Sequence, residues 1–377
     1  KITMNNQKRK VCIFGSQLAS ALQGNAIGGA ELQMAMLAKT LADHNIEVVV
    51  IDRETKEDFQ FDRNIEIRSI PGWYSGIRGL RFFTHRVPNF IKTLRNIQAS
   101  LFYVRGISYL FLIPLYVAKR TKAKFVLAIS HDSELWRFQE RFKVFYRRNS
   151  SVWDWISTNI PNEIATFFLV RFCDVLLVQH EEQAQKVTAL GKKVILLPNM
   201  FDPRIEHISR NKSNGNIVII GALSNRKGLD LFLPVVQKLK HVIFEFVGEA
   251  EDIEGNRIKE QLKKCPNAIL HGWLNREDTL KKIASAKALI NTSRMEGFPN
   301  AFIEAWALRT PVISLSVDPG NVIKNHHLGY VCNGRVELLE ELLQRDTLDL
   351  DTAQIQDYVL KRHSAKYTVS VFEDIIS

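Results

Sequence analysis

At 377 residues, with 46 % hydrophobic and 24 % charged side chains, the chain is too long for one ordinary domain and too apolar for a disordered or fibrous protein. Its net charge of +11 is unevenly placed: residues 67–148 carry 16 Lys and Arg against 3 Asp and Glu, whereas residues 201–377 carry 23 of each. The positive field therefore belongs to one segment of the first half and suits phospholipid, nucleic acid or an acidic acceptor.

The chain opens polar and basic and runs straight into a strand, VCIFG at 11–15, a start without a secretory signal. A loop with Gly24, Gly28 and Gly29 follows, then a helix over 30–45 with apolar residues at helical spacing, then a second strand, EVVVID at 47–52. Further strands are predicted at 100–106, 124–130, 175–179 and 193–199. The apolar run at 109–118 is too short to cross a bilayer, and Arg171 and Asp174 interrupt the one at 165–178. The cysteines (Cys12, Cys173, Cys265 and Cys332) lie far apart without metal-ligand spacing, as isolated buried thiols in a reducing cytosol would. After the polar stretch SRNKSNGN at 209–216 the alternation restarts, with strands at 217–223, 242–249, 268–274, 287–293 and 310–315. Two doubly wound α/β domains are the reading, with a boundary near 200–215 and a terminal helix that packs back on the first domain.

Three segments carry chemistry. In SRMEGFPNAFIEAWALRTPVI at 293–313, Glu296 follows a strand, Gly297 frees a turn, Pro299 suits a first helical turn and Glu304 lies one turn in. Backbone N–H groups from Phe298 through Asn300 to Ala301 then point out of a helix N-terminus, which attracts a pyrophosphate. In IVIIGALSNRKGLD at 217–230, a strand ends at Gly221 and its loop brings Arg226 and Lys227, two cations suited to a diphosphate leaving group. In QGNAIGGAE at 23–31, Gly28 and Gly29 permit close backbone approach to a ligand.

The element EGFPNAFIE resembles the E-x7-E motif of the retaining glycosyltransferases of family four, and TPVI at 310–313 resembles the strand that follows it there. The loop at Lys227-Gly228 is similar to that family's donor loop, except that Ala222 stands where the family usually has arginine. Either Arg226 substitutes or another arginine reaches in. The resemblance implies a GT-B fold, α/β, with two Rossmann-like domains facing across a cleft. Residues 1–200 would bind the acceptor, residues 201–356 the nucleotide-sugar, and a helix at about 357–377 would return to the first domain. It implies catalytic roles for Glu296, Lys227 and His131, the last after the strand at 124–130 beside Asp132. It places donor contacts at Gly28, Gly29, Gly221, Arg226, Gly248, Gly272, Trp273, Gly297, Phe298, Pro299, Asn300 and Glu304. Glu296 would face the sugar and Glu304 the ribose. The donor would be a UDP- or GDP-linked sugar and the acceptor a glycan or lipid-linked hydroxyl, in polysaccharide or glycolipid synthesis. No cofactor, metal or nucleic-acid partner is implied.

The aromatic and basic stretches at 73–90 and 136–155 suit an anionic membrane surface, which would hold the protein peripherally on the inner face. Other readings are weaker. Asp52 ends the second strand where dehydrogenases hold ribose, but after Gly15 the next glycine is Gly24, so no GxGxxG exists. A GT-B epimerase or phosphorylase, or an inactive scaffold, shares the architecture, but Glu296, Glu304 and Lys227 together favour transfer.

Overall fold

The computed structural model describes residues 9–25, 28–135, 155–188, 191–209 and 215–377. The basic stretch 136–154, with Arg147 and Arg148, lies outside them. The chain forms two units: Lys1–Pro198 with Ala365–Ser377, and Asn199–Ser364.

The first unit is built on an eight-stranded sheet. Its strands are β1 Lys10–Gly15, β2 Glu47–Asp52, β3 Phe59–Asp62, β4 Ile65–Arg68, β5 Leu101–Arg105, β6 Lys124–Ala128, β7 Val175–Val178 and β8 Val194–Leu196. Their order is β3-β4-β2-β1-β5-β6-β7-β8, and all pairs are parallel except β3 with β4. The central strands are near-continuous Val, Ile, Leu and Phe because helices cover both faces. The helix Gly29–Asp43 makes the first crossover and buries Met34, Leu37, Ala38 and Leu41. The C-terminal segment returns to this unit from Ala365, later than the expected 357. The helix Ala365–Ile376 sets Phe372 5.8 Å from the Tyr103 ring, and Lys124 Nζ donates to the Ile375 carbonyl at 2.6 Å.

The second unit holds a six-stranded, all-parallel sheet. Its strands are β9 Ile217–Ile220, β10 Phe244–Val247, β11 Ala268–Gly272, β12 Ala288–Asn291, β13 Val312–Ser314 and β14 Gly329–Val331. Their order, β11-β10-β9-β12-β13-β14, reverses at β9. At such a reversal the crossover helices lie on opposite faces and leave a crevice beyond the strand ends. The helix Thr352–Arg362 belongs here, packed on Asn300–Ala307 through Tyr358 and Trp306.

All four cysteines are buried and free. Burial pushes the Cys173 and Cys332 thiols up to about 11, which suppresses the thiolate. Among the described residues no helix is long and apolar enough to cross a membrane.

Candidate functional site at the end of the second sheet

The two strongest motifs meet beyond β9 and β12, which are neighbours at the reversal. After β9 the chain turns at Gly221 (φ 133°) and enters a short 3-10 turn, Asn225–Lys227. After β12 it passes Thr292 and Ser293 to Glu296. Lys227 Nζ bonds Glu296 Oε1, and Ser293 Oγ donates to the same oxygen at 2.8 Å. The side chains are only 23 % and 16 % exposed, so water screens this pair less than a surface pair.

The backbone fixes the pair from behind. Thr292 Oγ1 donates to the Lys227 carbonyl at 2.6 Å. Gly228 has φ 67°, and a Cβ there would lie 2.0 Å from the Thr292 carbonyl oxygen. Only glycine lets the two loops close so tightly. Gly248 makes a second close approach, since a Cβ on it would lie 2.1 Å from the Gly221 oxygen.

The helix Asn300–Ala307 begins one residue later than the motif suggested. Pro299 is its N-cap rather than a helical residue, and no side chain caps the end. The Phe302 amide already donates to the Pro299 carbonyl at 3.1 Å, so what this end offers an anion is chiefly the positive pole of the helix dipole. Phe298 offers backbone only. Its ring is buried edge-on against Trp306, with centroids 6.2 Å apart.

Glu304 is 3 % exposed and ion-paired with Arg276, whose Nε also donates to Asp202 Oδ2 at 3.0 Å. Burial works against ionisation of Asp202, but bonds from Arg204 and Arg276 outweigh it and lower its pKa to about 2. Arg226 points elsewhere: its Nη2 lies 3.6 Å from Glu251 Oε2, and both side chains are more than half exposed. Gly248 and Gly272 line a cavity of about 470 Å³ with Leu223, Glu249, Lys259 and His271. Trp273, next along the chain, is 67 % exposed and so is not core.

The remaining candidates belong to the first unit. Gly28 is the N-cap of Gly29–Asp43 with φ −126°, which any residue adopts, and neither Gly28 nor Gly29 has positive φ. His131 follows β6, and its carbonyl accepts from Glu134 N at 3.0 Å. Beside it, Asp132 takes bonds from His180 Nε2 (2.9 Å) and Gln183 Nε2 (2.7 Å). Burial opposes ionisation of Asp132, yet these bonds win and hold it below the usual carboxylate range. Asp52 is consumed structurally: its carboxylate accepts from the backbone of Gln17, Ala19 and Glu54 at 2.8–3.0 Å. A ribose would have to displace these backbone amides, which removes the dehydrogenase reading.

Sequence reasoning missed Arg276, Asp202, Asn199 and His363. Asn199 Nδ2 donates to the Phe298 carbonyl at 3.2 Å and to Asn300 Oδ1 at 2.9 Å, which steadies the helix entrance. His363 Nδ1 donates to the Asn199 carbonyl at 2.6 Å.

Residues 27–204 match Glycosyltransferase Family 4, and residues 214–345 match Glycosyl transferases group 1. The chain belongs to the group 1 glycosyltransferases of family four. This glycosyltransferase is 24 % identical over 210 residues, 53 % of its length, to one subunit of human phosphatidylinositol N-acetylglucosaminyltransferase. Over 179 residues, 42 % of its length, it is 25 % identical to an uncharacterized glycosyltransferase of Methanocaldococcus jannaschii. In each case the match spans 43 % of the relative, less than half its length. Solved structures share the fold along nearly the whole chain. Sucrose-phosphate synthase of Thermosynechococcus elongatus superposes with a TM-score of 0.70 at 13 % identity, covering 97 % of this chain and 98 % of that one. HepE of Anabaena, solved in complex with UDP and glucose, gives 0.68 at 15 % identity, covering 98 % and 99 %. The neighbours are GT-B glycosyltransferases, and the two parallel α/β sheets of this chain are that architecture.

Proposed function

We propose that this glycosyltransferase moves a sugar, with retention at the anomeric carbon, from a UDP- or GDP-linked donor to a hydroxyl of a glycan or lipid-linked acceptor, in polysaccharide or glycolipid synthesis. The observation that carries the reading is the Lys227–Glu296 pair at the sheet's reversal, beside an uncapped helix N-terminus.

An arriving diphosphate competes with Glu296 for the Lys227 ammonium. The exchange releases Glu296 Oε1 to accept a bond from a sugar hydroxyl, with Ser293 still holding the carboxylate. As the bond from the anomeric carbon to the phosphate oxygen breaks, negative charge grows on the diphosphate, which the Lys227 ammonium and the helix N-terminus would stabilise. The leaving phosphate oxygen takes the proton of the attacking acceptor hydroxyl on the same face. No metal is needed in this scheme. Glu304, fixed by Arg276, accepts from the ribose diol. His131, Gly28 and Gly29 serve the acceptor side, and residues 67–148 hold the protein peripherally against an anionic membrane on its cytoplasmic face.

Calorimetric titration with UDP, GDP and ADP tests the donor assignment, because a ligand of the native state raises stability by mass action. One of UDP or GDP should bind with micromolar affinity. Glu296→Gln should keep that affinity and lose more than about tenfold in turnover, whereas Glu304→Gln should lose affinity. Absence of binding by every nucleotide in a folded protein would refute the reading.

A further inference from the structure

Two neighbouring elements of the first unit expose apolar side chains that a water-facing surface does not call for. In the loop 77–83, Ile77 is 73 % exposed, Leu80 58 % and Phe83 72 %. The base of this loop is fixed. Arg86 lies over the buried Trp73 ring at 4.9 Å and bonds its carbonyl at 2.9 Å, while Phe82 packs on Tyr109 with centroids 6.0 Å apart. The apolar tips thus project from an anchored loop.

The helix Ile160–Phe172 is apolar on both faces. Ala165 and Leu169 are fully buried, and Val170 nearly so. On the other side Ile164, Phe167, Phe168 and Phe172 are 42–66 % exposed at helical spacing, with Arg171 over the Phe172 ring at 5.7 Å. A helix that is apolar all round is ordinarily buried in protein or in lipid. Tyr109 bridges the two elements: its ring packs on Phe82, and its amide donates to Asn162 Oδ1, in the first turn of this helix, at 2.9 Å.

We propose that loop 77–83 and the outer face of Ile160–Phe172 insert together into the interfacial layer of an anionic bilayer. The inference rests on the membrane reading above and names the part that enters lipid. Charge selects this occupant. From residue 67 to residue 131 the sequence holds eleven Lys and Arg and no Asp or Glu, and Arg78, Arg81 and Arg171 lie among the apolar tips. Anionic headgroups complement them, while the apolar side chains reach the acyl boundary. A two-fold contact between copies would press Arg78, Arg81 and Arg171 against their own images, with Glu163 as the acidic side chain these two elements supply. The exposed Phe83, Phe167, Phe168 and Phe172 rings are also of the kind on which bases stack, so tighter binding to single-stranded DNA than to anionic vesicles would overturn the proposal. At 13 residues, about 20 Å long, the helix lies in the interface rather than spanning a core of about 30 Å.

The test labels single cysteines, Phe83→Cys and Phe167→Cys, with an environment-sensitive dye in the full chain. The four native cysteines are buried and do not compete. With phosphatidylcholine–phosphatidylglycerol vesicles both dyes should shift to the blue and be quenched by brominated acyl chains. A control at Asp43→Cys should not respond. The triple variant I77S/L80S/F83S should bind these vesicles about tenfold more weakly, and about 0.5 M salt should release it fully while wild type stays partly bound. Vesicle-bound protein with unshifted dyes, no vesicle binding at all, or a triple variant that binds like wild type would each overturn the proposal. So would a vesicle-free dimer that the triple substitution dissolves. Nucleotide titration of the same samples reads the donor site separately, so loss of one function is distinguishable from loss of the other.

Discussion

Arg276→Met tests whether one buried cation organises the donor half of the site. Arg276 lies between Asp202 and Glu304, and both carboxylates are 3 % exposed. Asp202 keeps Arg204, whose Nη2 is 2.7 Å from Oδ2, but the bond drawn to Glu304 comes from Arg276. Removing one partner of a buried pair costs about 3–5 kcal/mol, and the surviving Arg204 contact sets the expectation near the lower figure, about 3 kcal/mol. For a unit of Asn199–Ser364, that is a fall in Tm of roughly 6–12 °C, at about 2–4 °C per kcal/mol. Calorimetry of wild type, Arg276→Met, Glu304→Gln and the double variant closes a cycle. The double variant should recover about 2 kcal/mol over additivity, because a neutral amide no longer needs the cation. The acid limb follows the same logic. The Asp202 pKa falls from 3.8 to about 2 on folding, so its stabilisation is complete above pH 3.8 and is lost as pH drops toward 2. Nucleotide affinity should fall with stability in Arg276→Met. A loss under about 1 kcal/mol, or strict additivity in the cycle, would refute the claim that Arg276 organises the site.

Lys227→Ala should weaken nucleoside diphosphate binding about 10–100-fold, the size of one charge-assisted bond, by titration calorimetry. Arg226→Ala should weaken the diphosphate but not the nucleoside, and Glu251→Gln should not, which paired titrations would resolve. Burial lowers the His363 pKa from 6.5 to about 4, so the stabilisation it gives is present above pH 6.5 and drains away between pH 6.5 and 4. The loss should reach about 3 kcal/mol at pH 4, and denaturant midpoints should show a flatter profile in His363→Gln.

The parallel strands were legible because strands covered on both faces must be apolar throughout, as VCIF, EVVVID and IVII are. Strands β3 and β4 were not, since FQFD and IEIR alternate at a sheet edge, and β14 has only three residues. Glu296, Lys227 and Glu304 could be read because strand, glycine turn and helix start follow one another locally. Arg276 and His363 could not. Their partners Glu304 and Asn199 are 28 and 164 positions away, and Arg276 follows an ordinary Asn275 N-cap like any solvated first-turn residue. Long-range pairing of buried charge has no sequence period to betray it.

The same ion pairs bear on the cation missing at Ala222. Arg294 is paired with Asp230, Arg276 with two buried carboxylates, and Arg226 with Glu251. These commitments differ in strength. Taking Arg276 for a diphosphate would strand Glu304 and forfeit the buried pair. Arg226 and Glu251 are 53 % and 58 % exposed and 3.6 Å apart, a contact worth about 0–1 kcal/mol. A diphosphate bond to a guanidinium exceeds that, so the exposed pair is the one a donor displaces at least cost. Arg226 also adjoins Lys227 on the 3-10 turn Asn225–Lys227, so one backbone movement would carry both cations. On the proposed donor reading, the alanine at 222 would be compensated from within the same loop, four residues on, rather than from a helix whose arginine already has other work.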